Sequence, residues 1–173
     1  VRSSAASDVY KRQSLRSGLL MDCRGCSYHV CSQYALHNRC FYGGAIPDKV
    51  FPAILQADAL LLLCPNYNDA LSAHITAFIN RLTALLIHNN LENKYLYAVI
   101  VSGYSGGDLV AQQVLGALSL NKSFMLPPRF CMWETANSPG EALQIPGVQD
   151  RVQAFGQNIL SAILSPAPEG PAQ

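Results

Sequence analysis

Apolar residues along this chain alternate between short unbroken runs and longer stretches with helical spacing. Ala59 to Cys64 is continuously apolar and stops at Pro65-Asn66-Tyr67-Asn68. Such a run reads as a strand buried on both faces, ended by a tight loop. From Leu71 onward, Leu71, Ile75, Phe78, Ile79, Leu82, Leu85 and Leu86 recur at helical spacing. Tyr95 to Val101 is β-branched and aromatic, which predicts a second strand. Ser102-Gly103-Tyr104-Ser105-Gly106-Gly107 breaks it, and a helix is expected over Asp108–Leu120 with Val110, Val114, Leu115 and Leu118 on one face. Phe124 to Trp133 reads as a weaker strand, interrupted at Pro127-Pro128. Val148 to Leu164 predicts a last helix with Val152, Phe155, Ile159, Ala162 and Ile163 facing inward. Earlier, Asp48 to Gln56 fits a short helix if Pro52 lies in its first turn. Strand and helix in alternation predict an α/β fold, a parallel sheet with helices on both faces. There is no internal repeat.

Composition narrows the class. A length of 173 residues fits one domain, and 50% hydrophobic residues suffice for a real core. The net charge of +1 and the absence of charge runs give no footprint for nucleic acid. The apolar runs fall short of the roughly 20 residues of a membrane span. The amino terminus is polar and lacks the apolar segment of a signal peptide. Residues 1–13, VRSSAASDVYKRQ, have no periodicity and resemble translated adapter sequence. They are expected to be non-native, with the natural protein truncated before about Ser14. The domain is then 14–164, and the proline-rich 165–173 is expected to be a flexible tail.

The two strand ends carry the candidate chemistry. In open α/β sheets, ligands bind at the carboxyl ends of strands. The Pro65–Asn68 loop offers backbone N–H groups at a helix start and the Tyr67 ring for a planar ligand. Gly103, Gly106 and Gly107 permit close backbone approach. Either loop alone is ordinary turn chemistry; together, on successive strands, they favour a cofactor site.

These residues show a family likeness. Ala57-Asp58-Ala59, Cys64-Pro65-Asn66-Tyr67, Ser72-Ala73 and Asn80-Arg81 resemble, in order and spacing, the flavodoxin-like NAD(P)H-dependent FMN reductases and their iron–sulfur flavoprotein relatives. Ser102 to Gly107 is similar to that family's loop after strand four, and Cys23-Arg24-Gly25-Cys26 to its cysteine pair after strand two. The resemblance implies a three-layer sandwich with sheet order 2-1-3-4-5, whose first strand and phosphate loop are missing from this chain. It implies FMN held at Pro65, Asn66, Tyr67, Asn68, Ser102, Gly103, Tyr104, Gly106 and Gly107, with NAD(P)H as hydride donor. The electron acceptor would be a small molecule or a protein, and the assembly a homo-oligomer. The flavin would carry the redox chemistry, so no side-chain acid, base or nucleophile is required. Two departures remove charge: Thr76 where many relatives have lysine, and Asn80 where many have aspartate.

Four of the six cysteines, Cys23, Cys26, Cys31 and Cys40, follow C-x2-C-x4-C-x8-C. Four thiolates can hold a 4Fe-4S cluster or a tetrahedral zinc, and the same spacing also fits plain neighbouring thiols. The family's cluster-binding members have a tighter gap where Ser27-Tyr28-His29-Val30 stands here. A reduced, cytoplasmic setting is expected, with the four thiols close together and unbridged. Cys64 and Cys131 are expected to be buried and inert. Of the remaining residues, His29 and His74 read as surface histidines and Arg81 as a structural anchor. Trp133 reads as core or subunit interface, and Tyr104 as the best aromatic for a ring contact. Three readings stay open: a flavin oxidoreductase, an iron–sulfur flavoprotein electron carrier, and a non-enzymatic module with structural zinc.

Overall fold

The computed structural model describes residues 14–15, 20–119 and 124–164. The expectations for 1–13 and 165–173 lie outside them.

Capping residues set where the helices begin. The Ser27 hydroxyl accepts from Val30 N at 3.4 Å and opens α1 (Tyr28–Ala35). Ile46–Val50 forms one π-helical turn that runs into α2 (Phe51–Gln56), so Pro52 stands at the change from π to α geometry inside a continuous helical stretch. Ser72 Oγ accepts from Ile75 N at 3.5 Å and opens α3 (Ala73–Arg81). The expected continuous helix breaks at Leu82, whose N–H turns back to Ile79 O at 3.0 Å, before α4 (Thr83–Leu86). Gly106, at φ 78°, is the cap of α5 (Gly107–Leu118). The last element among the described residues is α6 (Val148–Leu164), preceded by a 3-10 turn at Glu141–Gln144.

The sheet is parallel in the order β1 (Ala59–Pro65), β2 (Tyr95–Ser102), β3 (Cys131–Thr135). Its register aligns Leu62 with Ala98 and Ala98 with Cys131. Parallel neighbours need a crossover, and α3–α4 and α5 supply the two. The α/β arrangement expected for a flavodoxin-like protein is therefore present. β3 begins seven residues later than the expected Phe124 start, with only a bridge from Tyr95 to Met125 before it. The cause is local: two prolines remove donors, and Arg129 adopts φ 53°.

The core lies on one face of the sheet. Leu62, Cys64, Leu96, Ala98 and Ile100 meet Ile75, Phe78, Val110 and Val114 from the helices. Leu96 and Ile100 are fully buried, a gain of about 1.5–3 kcal/mol each over exposure. β1 is not buried on both faces as its composition suggests: Leu61 and Leu63 are 44% and 64% exposed. They share the other face with Tyr97, their neighbour in register. There α6 covers β2 and β3 rather than β1. The Tyr97 and Phe155 rings meet edge-to-face at 5.7 Å, and Arg151 forks onto Glu134 at 2.7 and 2.8 Å. Val152, expected to face inward, is exposed because the helix leans on this side through Phe155 and Arg151. No helix among the described residues is long and apolar enough to cross a membrane.

Candidate functional site

Three loops meet at the carboxyl ends of β1, β2 and β3. After β1, Asn66 N continues the ladder by donating to Val101 O at 2.8 Å. Tyr67 and Ala70 then pair across Asn68 and Asp69, both at positive φ (55° and 58°), the pattern of a type I′ turn. That turn leaves Tyr67 63% exposed. After β2, the chain passes Tyr104, 93% exposed, and tightens at Gly106. After β3, Ala136 N donates to Ser102 O at 2.9 Å, and the Asn137 carboxamide donates to Gly103 O at 3.0 Å.

Asn66 joins the first two loops. Its Nδ2 donates to Ser105 O at 2.8 Å, Ser102 Oγ at 3.0 Å and Asp69 Oδ1 at 3.4 Å. Two N–H groups thus serve three acceptors. Its Oδ1 is buried without a hydrogen-bond partner among the described residues. Gly106 packs directly beneath this network: a Cβ there would collide with the Asp69 carboxylate and approach Asn66 Nδ2 to 3.0 Å. A Cβ on Gly103 would collide with the Asn137 carboxamide. Gly107 lies against Trp133 and Ser102. The glycines of the second loop thus have steric neighbours that a side chain would meet, and Asn66 joins Pro65–Asn68 to Ser102–Gly107.

Two parts of this surface had no clear signal in the sequence. Gln113, on α5, clamps the first loop from behind: its Oε1 accepts from Leu71 N at 3.1 Å and its Nε2 donates to Asp69 O at 2.9 Å. Nothing separates it from other polar positions on the same helix. The 135–141 loop is the second part, and its Asn137-Ser138-Pro139-Gly140 composition at a third strand end was the available clue. Glu141 fastens it by accepting from Asn137 N and Ser138 N, both at 2.8 Å. The backbone N–H of Ser138, then that of Asn137, holds the Glu141 carboxyl below its ordinary value of 4.5. A lowered folded value means that this anchoring is complete above the ordinary carboxylate pKa and is lost as pH falls through the lowered one. Acidification in an NMR titration is expected to shift the Asn137 and Ser138 amides together. In Glu141→Gln that acid transition should vanish; its persistence would rule Glu141 out as its source.

The charge on these loops is acidic. Asp69 and Glu141 lie on them, Asp108 follows in the first turn of α5, and none of the three loops carries a lysine or arginine. Exposed aromatic rings, glycine backbone and an amide hub suit a flat, largely uncharged ring system. They offer no cation to a phosphate.

The cysteine region lies at the start of α1. Segment 21–26 is tied to segment 40–44 by Arg81, which is buried and donates to Met21 O at 3.3 Å and Gly43 O at 2.7 Å. Arg81 is thus an anchor, as expected, and its neighbour Asn80 holds Asp22 at 2.9 Å. All six cysteines are free. Burial, then the neighbouring Cys26, Cys40 and Cys23 thiols, pushes the Cys31 thiol up. Among the described residues, no three His, Cys, Asp or Glu side chains come together as a metal site. The expected 4Fe-4S or zinc ligation by Cys23, Cys26, Cys31 and Cys40 is therefore unsupported. In the four-residue gap, Ser27–Val30 winds into the first turn of α1, and Cys31 packs against the core while Cys23 stays exposed.

Elsewhere, burial raises Cys64 to about 12, and the half-buried Cys131 to about 11, which leaves both as inert thiols at neutral pH. His29 and His74 are exposed. Trp133 is 57% exposed rather than core, because it sits at the outer strand of the sheet against Gly107.

A parallel α/β protein with a loop-built surface at its strand ends belongs among the nucleotide- and flavin-site folds. The particular family follows from the sequence profile of the NADPH-dependent FMN reductases, which matches residues 22–138. This chain belongs to that family. No curated protein matches the chain. Among solved structures, it is similar to RosB with a bound 8-demethyl-8-formylriboflavin-5'-phosphate intermediate, at 15% identity and a TM-score of 0.48. The match covers 75% of this chain and 64% of RosB.

Proposed function

We propose that this chain is an NAD(P)H-dependent oxidoreductase that binds FMN at the Asn66 surface, takes a hydride from the nicotinamide and passes electrons to a small-molecule or protein acceptor. The observation that carries the reading is the junction of Pro65–Asn68 and Ser102–Gly107 through Asn66, in a chain of the FMN reductase family. The bound flavin supplies the electron-accepting ring. The chain's residues do the rest. Asn66 fixes the distance between the loops, Gly103 and Gly106 keep the backbone uncovered, and Tyr67 and Tyr104 present ring faces. Asn68, Pro65, Ser102 and Gly107 shape the floor. The Asn66 Oδ1, buried without a partner among the described residues, leaves an acceptor unused at the junction of the two loops. We place the protein in the cytoplasm, a reading that its six free cysteines support, and the homo-oligomer rests on the family resemblance alone.

The test is a fluorescence titration with FMN followed by anaerobic addition of NADPH. Binding, then bleaching of the flavin absorbance as NADPH is consumed, is expected. Gly103→Val, which drives a side chain into Asn137, should weaken FMN binding at least about tenfold, equivalent to roughly 1.4 kcal/mol. Unchanged affinity in this variant would remove the ring from the proposed loops. Absence of NADPH consumption would remove the activity.

A further inference from the structure

The start of α1 holds a pair of thiols in a position that helix geometry makes adjacent. Ser27 is the cap, so Cys26 is the residue just before it and Cys31 is the fourth residue of the helix. Side chains at these two positions fold onto each other across the first turn of a helix, where proteins usually place an apolar pair. Here the pair is two cysteines, and after burial it is the Cys26 thiol that pushes the Cys31 thiol up most. The surroundings hold them there. Cys31 N donates to Ser27 O at 2.9 Å, Cys31 packs against the core, and the Arg24 guanidinium lies 5.0 Å over the Tyr42 ring. Arg81 and Asn80 pin the flanking residues Met21 and Asp22. The pair is unbridged, and no third ligand joins it in a metal site among the described residues.

We propose that Cys26 and Cys31 form a reversible dithiol–disulfide couple, closed by a peroxide and reopened by a thiol reductant, that fastens the entry to α1. The Cys26 sulfur attacks one peroxide oxygen. The O–O bond breaks, water leaves and Cys26 becomes a sulfenic acid. The Cys31 sulfur then attacks the Cys26 sulfur and loses its proton. The S–O bond breaks and a second water leaves. Two thiols are oxidised by two electrons, and one peroxide is reduced to two waters. One side chain stands just before the cap and the other four residues into the helix, the two positions whose side chains pack across a first helical turn and so lie within range of a disulfide. The couple does not depend on the flavin reading.

Tryptic mapping separates the possible pairings, because Arg24 and Arg39 flank both cysteines and leave Cys23 and Cys40 on other peptides. The folded full chain is treated with hydrogen peroxide, its free thiols are alkylated, and it is then digested. The expected product is a Gly25–Arg39 peptide lighter than the reduced form by two hydrogens and closed to alkylation, with dithiothreitol restoring both thiols. In Cys31→Val, which keeps an apolar side chain in place, Cys26 should instead be captured by dimedone as a sulfenic acid. A cross-link from Gly25–Arg39 to the Cys40–Lys49 peptide would overturn the pairing. Irreversible oxidation, or no change in the wild-type peptide, would overturn the couple itself.

Discussion

Gly106→Ala is expected to abolish tight flavin binding. Two penalties coincide at this position. A left-handed backbone at φ 78° disfavours any side chain, by roughly 1–2 kcal/mol. The new methyl also points into the Asp69 carboxylate and crowds Asn66 Nδ2. Asp69 must move, which removes its bond from Asn66 Nδ2, and the methyl crowds that same amide and so disturbs its bonds to Ser102 and Ser105, each worth about 1 kcal/mol. A combined loss of about 3 kcal/mol corresponds to roughly a hundredfold in affinity. Gly140→Ala is the matched control. Its φ is 83°, yet a Cβ there meets nothing within 4 Å. It should share the backbone penalty and spare the Asn66 network. FMN titration and urea unfolding of both variants make the comparison. Equal effects on FMN affinity would mean that only strain matters and that the contact with Asp69 is irrelevant.

Arg81→Met is expected to be the most destabilising single change outside the core. The guanidinium is 3% exposed and supplies donors to Met21 O and Gly43 O. Hydrogen bonds from a charged donor contribute roughly 1.5–3 kcal/mol each, and methionine leaves both carbonyls unmatched while retaining much of the packing. The net loss should be about 2–4 kcal/mol by urea denaturation, a large share of the 5–15 kcal/mol typical of a domain. Asn80→Ala, one residue away on an exposed face, should lose less than about 1 kcal/mol. Were the two variants equally stable, Arg81 would be a spectator.

Local pattern made much of this molecule legible, and tertiary context hid the rest. β1, β2 and the helices at 73–81, 107–118 and 148–164 fall where apolar spacing puts them, because each must bury one stripe or face. Asn66 and Gly106 were visible as loop chemistry at strand ends. Their direct junction was not, since it depends on how β1 and β2 align. β3 moved because Phe124 and Phe130 are apolar for packing while the prolines between them cannot join a ladder. Leu61 and Leu63 look identical to Leu62 in composition, and only the placement of α6 tells them apart. The cysteine spacing suggested a metal. The capping of α1 by Ser27, a matter of one hydroxyl, set the directions in which those sulfurs point.

The way α6 is attached has a consequence for the order in which the protein opens. Among the described residues its docking includes the Tyr97–Phe155 ring contact, the Arg151 fork, the Tyr97 hydroxyl, which donates to Asn158 O at 3.4 Å, and the Asn158 carboxamide, which donates to Pro128 O at 3.1 Å and Arg129 O at 3.4 Å. Phe155, Ile159, Ala162 and Ile163 are only half-buried, and Leu160 and Leu164 are 52% and 79% exposed. The strands, by contrast, bury Leu96, Ala98 and Ile100 completely. Local opening free energies follow such differences in buried contact. Helix α6 is therefore expected to lift first, with its amides exchanging in hydrogen-exchange measurements before those of the sheet and the Asn66 junction. Tyr97 is the side chain that this lifting exposes.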